Sequence, residues 1–418
     1  MTNQIDFSKP YWFYLSPDVY VAEVFEEAKL LLYHTCTGGK LEVEHQSCIL
    51  LIREVYKPGN LGVIKLPILK SDNTELIAFI KTIVKLEMGR VIAIDDEKQK
   101  PINLLPILSL SKDVDKLKNK NDFSLIIPDL ISYLSELNIY INGKCTHECS
   151  ACSKYYKQVK SCFKSHMDNE LHPSVLQKAL NQLTFSRVKR INILGGNIFK
   201  YTYWDNLTLL MNEFEFDFHL WVNCLNFPSQ GTRFLPNNIV YEILVTFPIQ
   251  ISSLHTVFRE YGTRSKFHFL IENEEQYGIA VNLIERIGIK EFSVTPIYTG
   301  NNIDFFSENV FLEKEDIFSS VISMREIFRN QKLNANNFGS LTILSNGSIK
   351  ANINTKTIGN IYQDTILELI YNEMVDNSAW RVIRDNDICK SCLYQFLCPP
   401  PSNYEMVIGK PNLCHIKF

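Results

Sequence analysis

Between residues 137 and 296, short apolar runs alternate with helical stretches, and this rhythm narrows the possible folds more than any other feature. Residues 137–141, 190–194, 218–223, 241–246, 267–271 and 291–296 read as buried strands. Residues 173–183, 205–213 and 274–287 read as helices between them. Strands joined through helices build parallel sheets from βαβ units. Six of them predict an α/β fold, a partial (β/α)6 TIM-like barrel. In sheets of this kind ligands sit at the carboxyl ends of the strands.

The first of these strands opens directly into Cys145-Thr-His-Glu-Cys149-Ser-Ala-Cys152, a C-x3-C-x2-C spacing. Three thiolates can hold three irons of a [4Fe–4S] cube and leave the fourth iron open to a ligand. A closed structural zinc site needs four ligands. His147 would be the fourth, yet it stands only two residues from each flanking cysteine. Unligated thiols are the third reading, and cysteines that cluster inside cells more often serve a metal or redox role.

The chain has 418 residues, which predicts two or three domains. A formal net charge of −3 argues against a general nucleic-acid or membrane-surface binder. The start, Met1-Thr-Asn-Gln-Ile-Asp, lacks the basic and apolar regions of a signal peptide. No apolar run approaches the roughly 20 residues of a membrane span. The expectation is therefore a cytoplasmic protein with no nucleic-acid and no membrane partner, whose eleven cysteines are not paired in disulfides. Three of them fall at 145–152 and four at 389–414. Cys36, Cys48, Cys162 and Cys224 are scattered and read as small buried hydrophobes, Cys162 least securely because it follows the first group closely.

Residues 1–110 read as a separate α+β unit. Runs at 11–14, 19–25 and 29–34 are β-rich, and 48–56 and 75–87 are helical, stopped by Pro58-Gly59 and Gly89. A Lys- and Asp-rich stretch from Lys112 to Asp122 marks a linker at 111–130. Toward the end of the chain, residues 341–350 form a hairpin around Asn346-Gly347, followed by Ile358-Gly-Asn-Ile361 and a helix through 366–370. Cys389, Cys392, Cys398 and Cys414 come last. Four thiolates suit an iron–sulfur cluster or a tetrahedral zinc ion, and both readings stand.

The cysteine triad at a first strand end resembles that of the radical SAM enzymes. Ile193-Leu-Gly195-Gly196-Asn197 is similar to their Gly-Gly-Glu-Pro segment, which meets the amino group of S-adenosylmethionine. Val222-Asn223-Cys224 stands where the family often has Thr-Asn-Gly, and Thr295-Pro-Ile-Tyr298 resembles the strand end that supports the adenine. The late hairpin, the Gly-Asn-Ile and the C-x2-C-x5-C run resemble the SPASM extension of peptide maturases. Residues 1–110 resemble the winged-helix-like domain that binds the leader of a precursor peptide by strand addition.

What the resemblance implies is specific. Cys145, Cys149 and Cys152 would hold a SAM-binding [4Fe–4S] cluster. Gly195, Gly196, Asn197 and Asn223 would contact the nucleotide. Cys389, Cys392, Cys398 and Cys414 would hold one auxiliary [4Fe–4S] cluster. Residues 131–330 would be the barrel and 331–418 the SPASM-like extension. The implied activity is reductive cleavage of S-adenosylmethionine to modify a ribosomally made precursor peptide, with no protein side chain as catalyst. The implied partners are the precursor peptide, an external electron donor and a second radical SAM maturase.

The chain also departs from the pattern. Asn197 replaces a glutamate, Ile198 a proline, and Ala151 stands where an aromatic covers the nucleotide. Ser402 takes the place of one cysteine, and residues 330–360 contain none, so the ligands of a second auxiliary cluster are missing as a set. These departures carry an alternative: a degenerate relative that binds precursor peptide or a partner maturase without turnover.

Overall fold

In a computed structural model of the chain, the described residues are 5–69, 72–94, 99–105, 130–147, 149, 152–164, 169–184, 186–228 and 239–416. The expected linker at 111–130, except Leu130, and Ala151 lie outside them.

The first part of the chain runs β1 (Tyr11–Leu15), β2 (Val19–Val24), β3 (Lys29–His34), β4 (Lys40–Val43), α1 (Gln46–Tyr56), β5 (Val63–Leu66), α2 (Thr74–Lys85) and β6 (Gly89–Ala93). One antiparallel sheet has the order β5-β1-β6 and a second the order β2-β3-β4. The two helices bury Ile49, Ile52, Phe79, Ile80 and Ile83 against Phe13, Leu30 and Leu32. That stripe is why 75–87 reads as helix. β4, β5 and β6 are four or five residues long and have no reading in the sequence, being too short to show a period.

β3 is buried on both faces, which explains its unbroken apolar run. Leu30 and Leu32 face the N-terminal core. Leu31 and Tyr33 face the other way, onto Leu393, Tyr394 and Leu397 of the late cysteine segment.

The larger part contains β7 (Glu136–Tyr140), α3 (Cys152–Gln158), α4 (Pro173–Leu183), β8 (Arg190–Leu194), α5 (Trp204–Glu213), β9 (Asp217–Asn223), β10 (Ile239–Thr246), α6 (Ile251–Tyr261), β11 (Ser265–Ile271), α7 (Glu274–Ile287) and β12 (Phe292–Pro296). Then follow α8 (Ile303–Asn309), α9 (Lys314–Ile317), α10 (Met324–Asn330), β13 (Ser340–Ile343), β14 (Ser348–Lys350), β15 (Gly359–Asn360), α11 (Ile366–Asp376), α12 (Asp387–Lys390) and α13 (Asn403–Ile408).

A nine-stranded mixed sheet is ordered β12-β11-β10-β9-β8-β7-β13-β14-β15. β7 to β12 are parallel neighbours in sequence order, as the alternation predicts. The late hairpin continues this sheet. β13 lies parallel to β7, with Thr342 opposite Asn138, and β14 folds back at Gly347, whose φ of 85° suits a residue without a side chain.

The two faces of the sheet differ in chemistry because side chains alternate. One face puts Leu137, Ile139, Ile191, Ile193, Phe218 and Leu220 into the main core. The other carries a polar layer. Trp221 Nε1 donates to Asn192 Oδ1 at 2.9 Å, and Asn192 Nδ2 to Asn138 Oδ1 at 2.8 Å. Glu242 is the hub: His219 Nδ1 lies 2.8 Å, His268 Nε2 2.6 Å and the Arg190 guanidinium 2.8 Å from its oxygens. Burial would raise this carboxyl, but the bonds from His219 and His268 and the Arg190 charge outweigh it and hold it well below its ordinary range.

α3 and α13 reach the ends of β11 and β12. The Tyr155 hydroxyl donates to Glu272 at 2.6 Å, and Tyr404 to the Pro296 carbonyl at 2.7 Å. Among the described residues no helix is long and apolar enough to cross a membrane.

Candidate cofactor-binding site

β7 ends at Tyr140, and the chain passes through Asn142 and Gly143 into the cysteine loop at the carboxyl end of the parallel strands. Asn142 fixes the root of that loop. It is 1% exposed, and its Oδ1 and its carbonyl each accept from Gly196 N at 3.1 Å. Its Nδ2 donates to the Asn197 carbonyl at 3.0 Å. A side chain on Gly195 would strike Asn142 Oδ1, and one on Gly196 would strike the Lys144 carbonyl. Both glycines therefore answer to the backbone of residues 142–144, which passes against them.

Cys149 feels the other two thiols of the triad. Burial, and then the sulfurs of Cys152 and Cys145, push the Cys149 thiol up. Cys162 joins the group. Its thiol donates to the Cys152 sulfur, which brings Cys152 down to about 6 and raises Cys162. Cys152 Sγ also lies 3.9 Å from the Cys162 carbonyl. Cys145 Sγ lies 3.8 Å from Asn226 Nδ2, and that amide also reaches the Gly196 carbonyl at 3.4 Å. Lys144 pairs with Glu170 at 3.1 Å and Lys200 reaches Thr146 at 3.3 Å, so cations flank the loop. His147 Nε2 sits 3.1 Å from the Leu225 carbonyl and is engaged there.

Asn197 and Asn223 are 7% and 2% exposed, and both side chains serve local turns. Asn197 Oδ1 accepts from Phe199 N at 3.0 Å. Asn223 Oδ1 accepts from Leu225 N at 2.9 Å, and its Nδ2 donates to Thr246 Oγ1 at 3.1 Å. The end of β12 is also engaged: the Gln158 amide pairs with the backbone of Tyr298 at 2.7 and 2.8 Å.

Cys389, Cys392, Cys398 and Cys414 line one small cavity together with Arg384, Asn412 and Leu413. Asn412 Nδ2 lies 3.1 Å from Cys414 Sγ, and Tyr394 N 3.3 Å from Cys392 Sγ. Burial pushes the Cys392 and Cys398 thiols up to about 12. The Arg384 guanidinium lies 2.8 Å from Glu405, with both side chains buried, and its charge also faces Cys398 and Cys389. Four thiols, two N–H donors to sulfur and a cation form a donor set suited in kind to a thiolate-bound metal. As they stand, no three His, Cys, Asp or Glu side chains among the described residues are gathered tightly enough to hold a metal ion.

Sequence reasoning did not single out Asn142 and Asn226, and took Cys162 as a packing residue. Asn142 could have been noticed as a carboxamide directly after an apolar run. Asn226 carries no local signal, because its partner Cys145 is 81 positions away.

No family model matches the chain, and no curated protein matches it. Among solved structures it is similar to Streptococcus suis SuiB bound to S-adenosylmethionine, at 14% identity, covering 97% of this chain and 99% of that one, with a TM-score of 0.44. SuiB bound to the precursor peptide SuiA gives 13% identity over 97% and 99%, with a TM-score of 0.47. A further SuiB structure gives 15% over 96% and 100%, with a TM-score of 0.48.

Proposed function

We propose that the chain is a radical SAM/SPASM-like maturase of a ribosomally made precursor peptide. The observation that carries this reading is the group of cysteines at the carboxyl end of β7, where Cys149 feels Cys152 and Cys145, with Gly195 and Gly196 packed against the root of their loop. On this reading Cys145, Cys149 and Cys152 hold a [4Fe–4S] cluster, which when bound supplies the electron that cleaves S-adenosylmethionine for hydrogen abstraction from the peptide. The chain's own residues do the rest. Asn142 sets the height of the loop over the sheet, and Asn226 offers an N–H to the Cys145 sulfur. Lys164, whose charge acts on Cys149 and Cys152, offsets thiolate charge. Cys389, Cys392, Cys398 and Cys414 hold the auxiliary group, iron–sulfur or zinc.

The precursor's leader adds as a strand to the N-terminal part. β3 lies between β2 and β4, so β2 is the hairpin strand with an open edge. Strand addition depends on backbone N–H groups, so single prolines across Val19–Val24 in the full chain weaken leader binding.

A second reading has its own support. Asn197 Oδ1 is already used by Phe199 N, and Gln158 occupies the backbone at the end of β12. Both contacts favour a degenerate relative that binds peptide or a partner maturase without turnover. Release of 5′-deoxyadenosine by the reduced, anaerobically reconstituted chain separates the two. Release supports the maturase. None, from a chain that has taken up iron and binds leader, supports the scaffold.

A further inference from the structure

Cys162 lies outside the C-x3-C-x2-C spacing, yet the fold sets it beside that group. Residues 161–163 are clamped onto the ends of β7 and β8. The Tyr140 hydroxyl donates to the Ser161 carbonyl at 3.3 Å, and Phe163 N to the Gly195 carbonyl at 3.0 Å. Cys162 thereby returns, ten positions on, to the start of α3, where its carbonyl lies 3.9 Å from Cys152 Sγ. α3 is held further along, because Tyr155 bonds Glu272 and Gln158 bonds the backbone of Tyr298. Two fixed segments thus bring the two side chains together, and the Cys162 thiol donates to the Cys152 sulfur.

Spacing and fold give Cys152 different partners. Spacing favours Cys149, which forms with it the C-x2-C arrangement of dithiol redox motifs. In the fold, Cys149 feels Cys152 through charge, whereas the hydrogen bond to the Cys152 sulfur comes from Cys162. Cys152 and Cys162 are both partly exposed, so a small solute can reach them. The direction of their bond divides the roles. Cys152, whose sulfur accepts, is the nucleophile, and Cys162, which carries the proton, is the resolving thiol.

We propose that Cys152 and Cys162 are a redox modification site, joined as a disulfide by a hydroperoxide when no metal is bound. The Cys152 thiolate attacks one peroxide oxygen, the O–O bond breaks, and hydroxide leaves, so that Cys152 becomes a sulfenic acid. The Cys162 sulfur then displaces the sulfenic hydroxyl, which departs as water with the Cys162 proton, and the S–S bond closes. The two cysteines lose two electrons, and hydrogen peroxide is reduced to water. One consequence rests on the cluster reading: a linked Cys152 cannot hold iron, and Cys145 and Cys149 alone leave the triad one thiolate short. The disulfide itself needs neither iron nor S-adenosylmethionine.

The chain lends itself to the test. Lys154, Lys157 and Lys160 stand between the two cysteines, so trypsin leaves Cys145, Cys149 and Cys152 on one peptide, 145–154, and Cys162 on another, 161–164. The full chain, free of metal and reduced, is treated with hydrogen peroxide under nitrogen, its remaining thiols are capped, and it is digested without reductant. Mass spectrometry finds the two peptides joined through Cys152 and Cys162 as the main linked product. Cys162→Ser abolishes the joined species and, with excess peroxide, sends Cys152 on to the sulfinic acid. The mapping is made on the wild type, so it decides the matter even if Cys162→Ser misfolds. A Cys149–Cys152 link as the main product, a join that runs through Cys145 or Cys149, or Cys162 left free overturns the proposal. Iron uptake then tests the consequence. The linked chain takes up about half the iron of the reduced chain, and a thiol reductant restores the rest. A linked chain that takes up the full amount overturns Cys152 as an iron ligand and leaves the disulfide standing. Release of 5′-deoxyadenosine is measured on chain never exposed to peroxide, so the maturase reading and the disulfide fall separately.

Discussion

Tyr394 and Glu42 lie 352 positions apart and meet in a 2.7 Å hydrogen bond, the tyrosine hydroxyl donating to the carboxylate. Tyr394 stands between Cys392 and Cys398, and Glu42 on β4, so the bond ties the late cysteine segment to the N-terminal sheet. Lys314 pairs with the same carboxylate, and the Tyr33 hydroxyl accepts from Ile322 N at 2.8 Å close by. Tyr394→Phe removes one of these bonds and should cost about 1 kcal/mol. Urea midpoints followed by tryptophan fluorescence check it. A variant as stable as the wild type would mean that the bond contributes nothing to docking.

Iron content tests the two cysteine groups. After anaerobic reconstitution the wild type should hold about eight irons and eight sulfides. Cys145→Ala should retain about half, at the C-terminal group. A wild type with one zinc and about four irons would assign zinc to Cys389, Cys392, Cys398 and Cys414.

Two glycine substitutions should act in opposite directions. Gly196→Ala drives a methyl group into the backbone of residues 143 and 144 and should cost about 1–3 kcal/mol. Gly278, inside α7, meets nothing within 4 Å, and Gly278→Ala should stabilise by about 0.5–1 kcal/mol. Thermal melts of the two variants give the signs directly.

Glu242 should make stability depend on acid. Its carboxyl is held well below the ordinary value of 4.5, so its stabilisation is complete above that pH and is lost as pH falls further. Glu242→Gln should cost about 3–5 kcal/mol near neutral pH, because its oxygens are shared by three partners in a buried site. The gap between variant and wild type should narrow below pH 4.5, which urea titrations at pH 6 and pH 3.5 would reveal.

Much of the main sheet was legible because β7 to β11 are largely buried on both faces and its helices carry clear apolar stripes. α4 and α7 have the same ends in the sequence reading and in the structure, Pro173–Leu183 and Glu274–Ile287. The pairing of β13 with β7 was not legible, since nothing in the sequence near Ser340 refers to Glu136. The cysteines could be found by spacing alone. What surrounds them could not. The Gly196 amide turns toward Asn142, 54 positions away, and the Cys145 sulfur toward Asn226. The glycine pair was expected to admit a ligand, and the structure gives it a second partner, the chain itself.

The parallel pairing of β13 with β7 also sets a timetable. Until residue 343 has been synthesised, β7 has one bare edge and the cysteine loop hangs from a half-finished sheet. A nascent chain at that stage presents unpaired backbone groups beside reactive thiols, a template for self-association. Chaperone demand should therefore peak late in translation, and a chain truncated just before Ser340 should aggregate even though every strand from β7 to β12 is present.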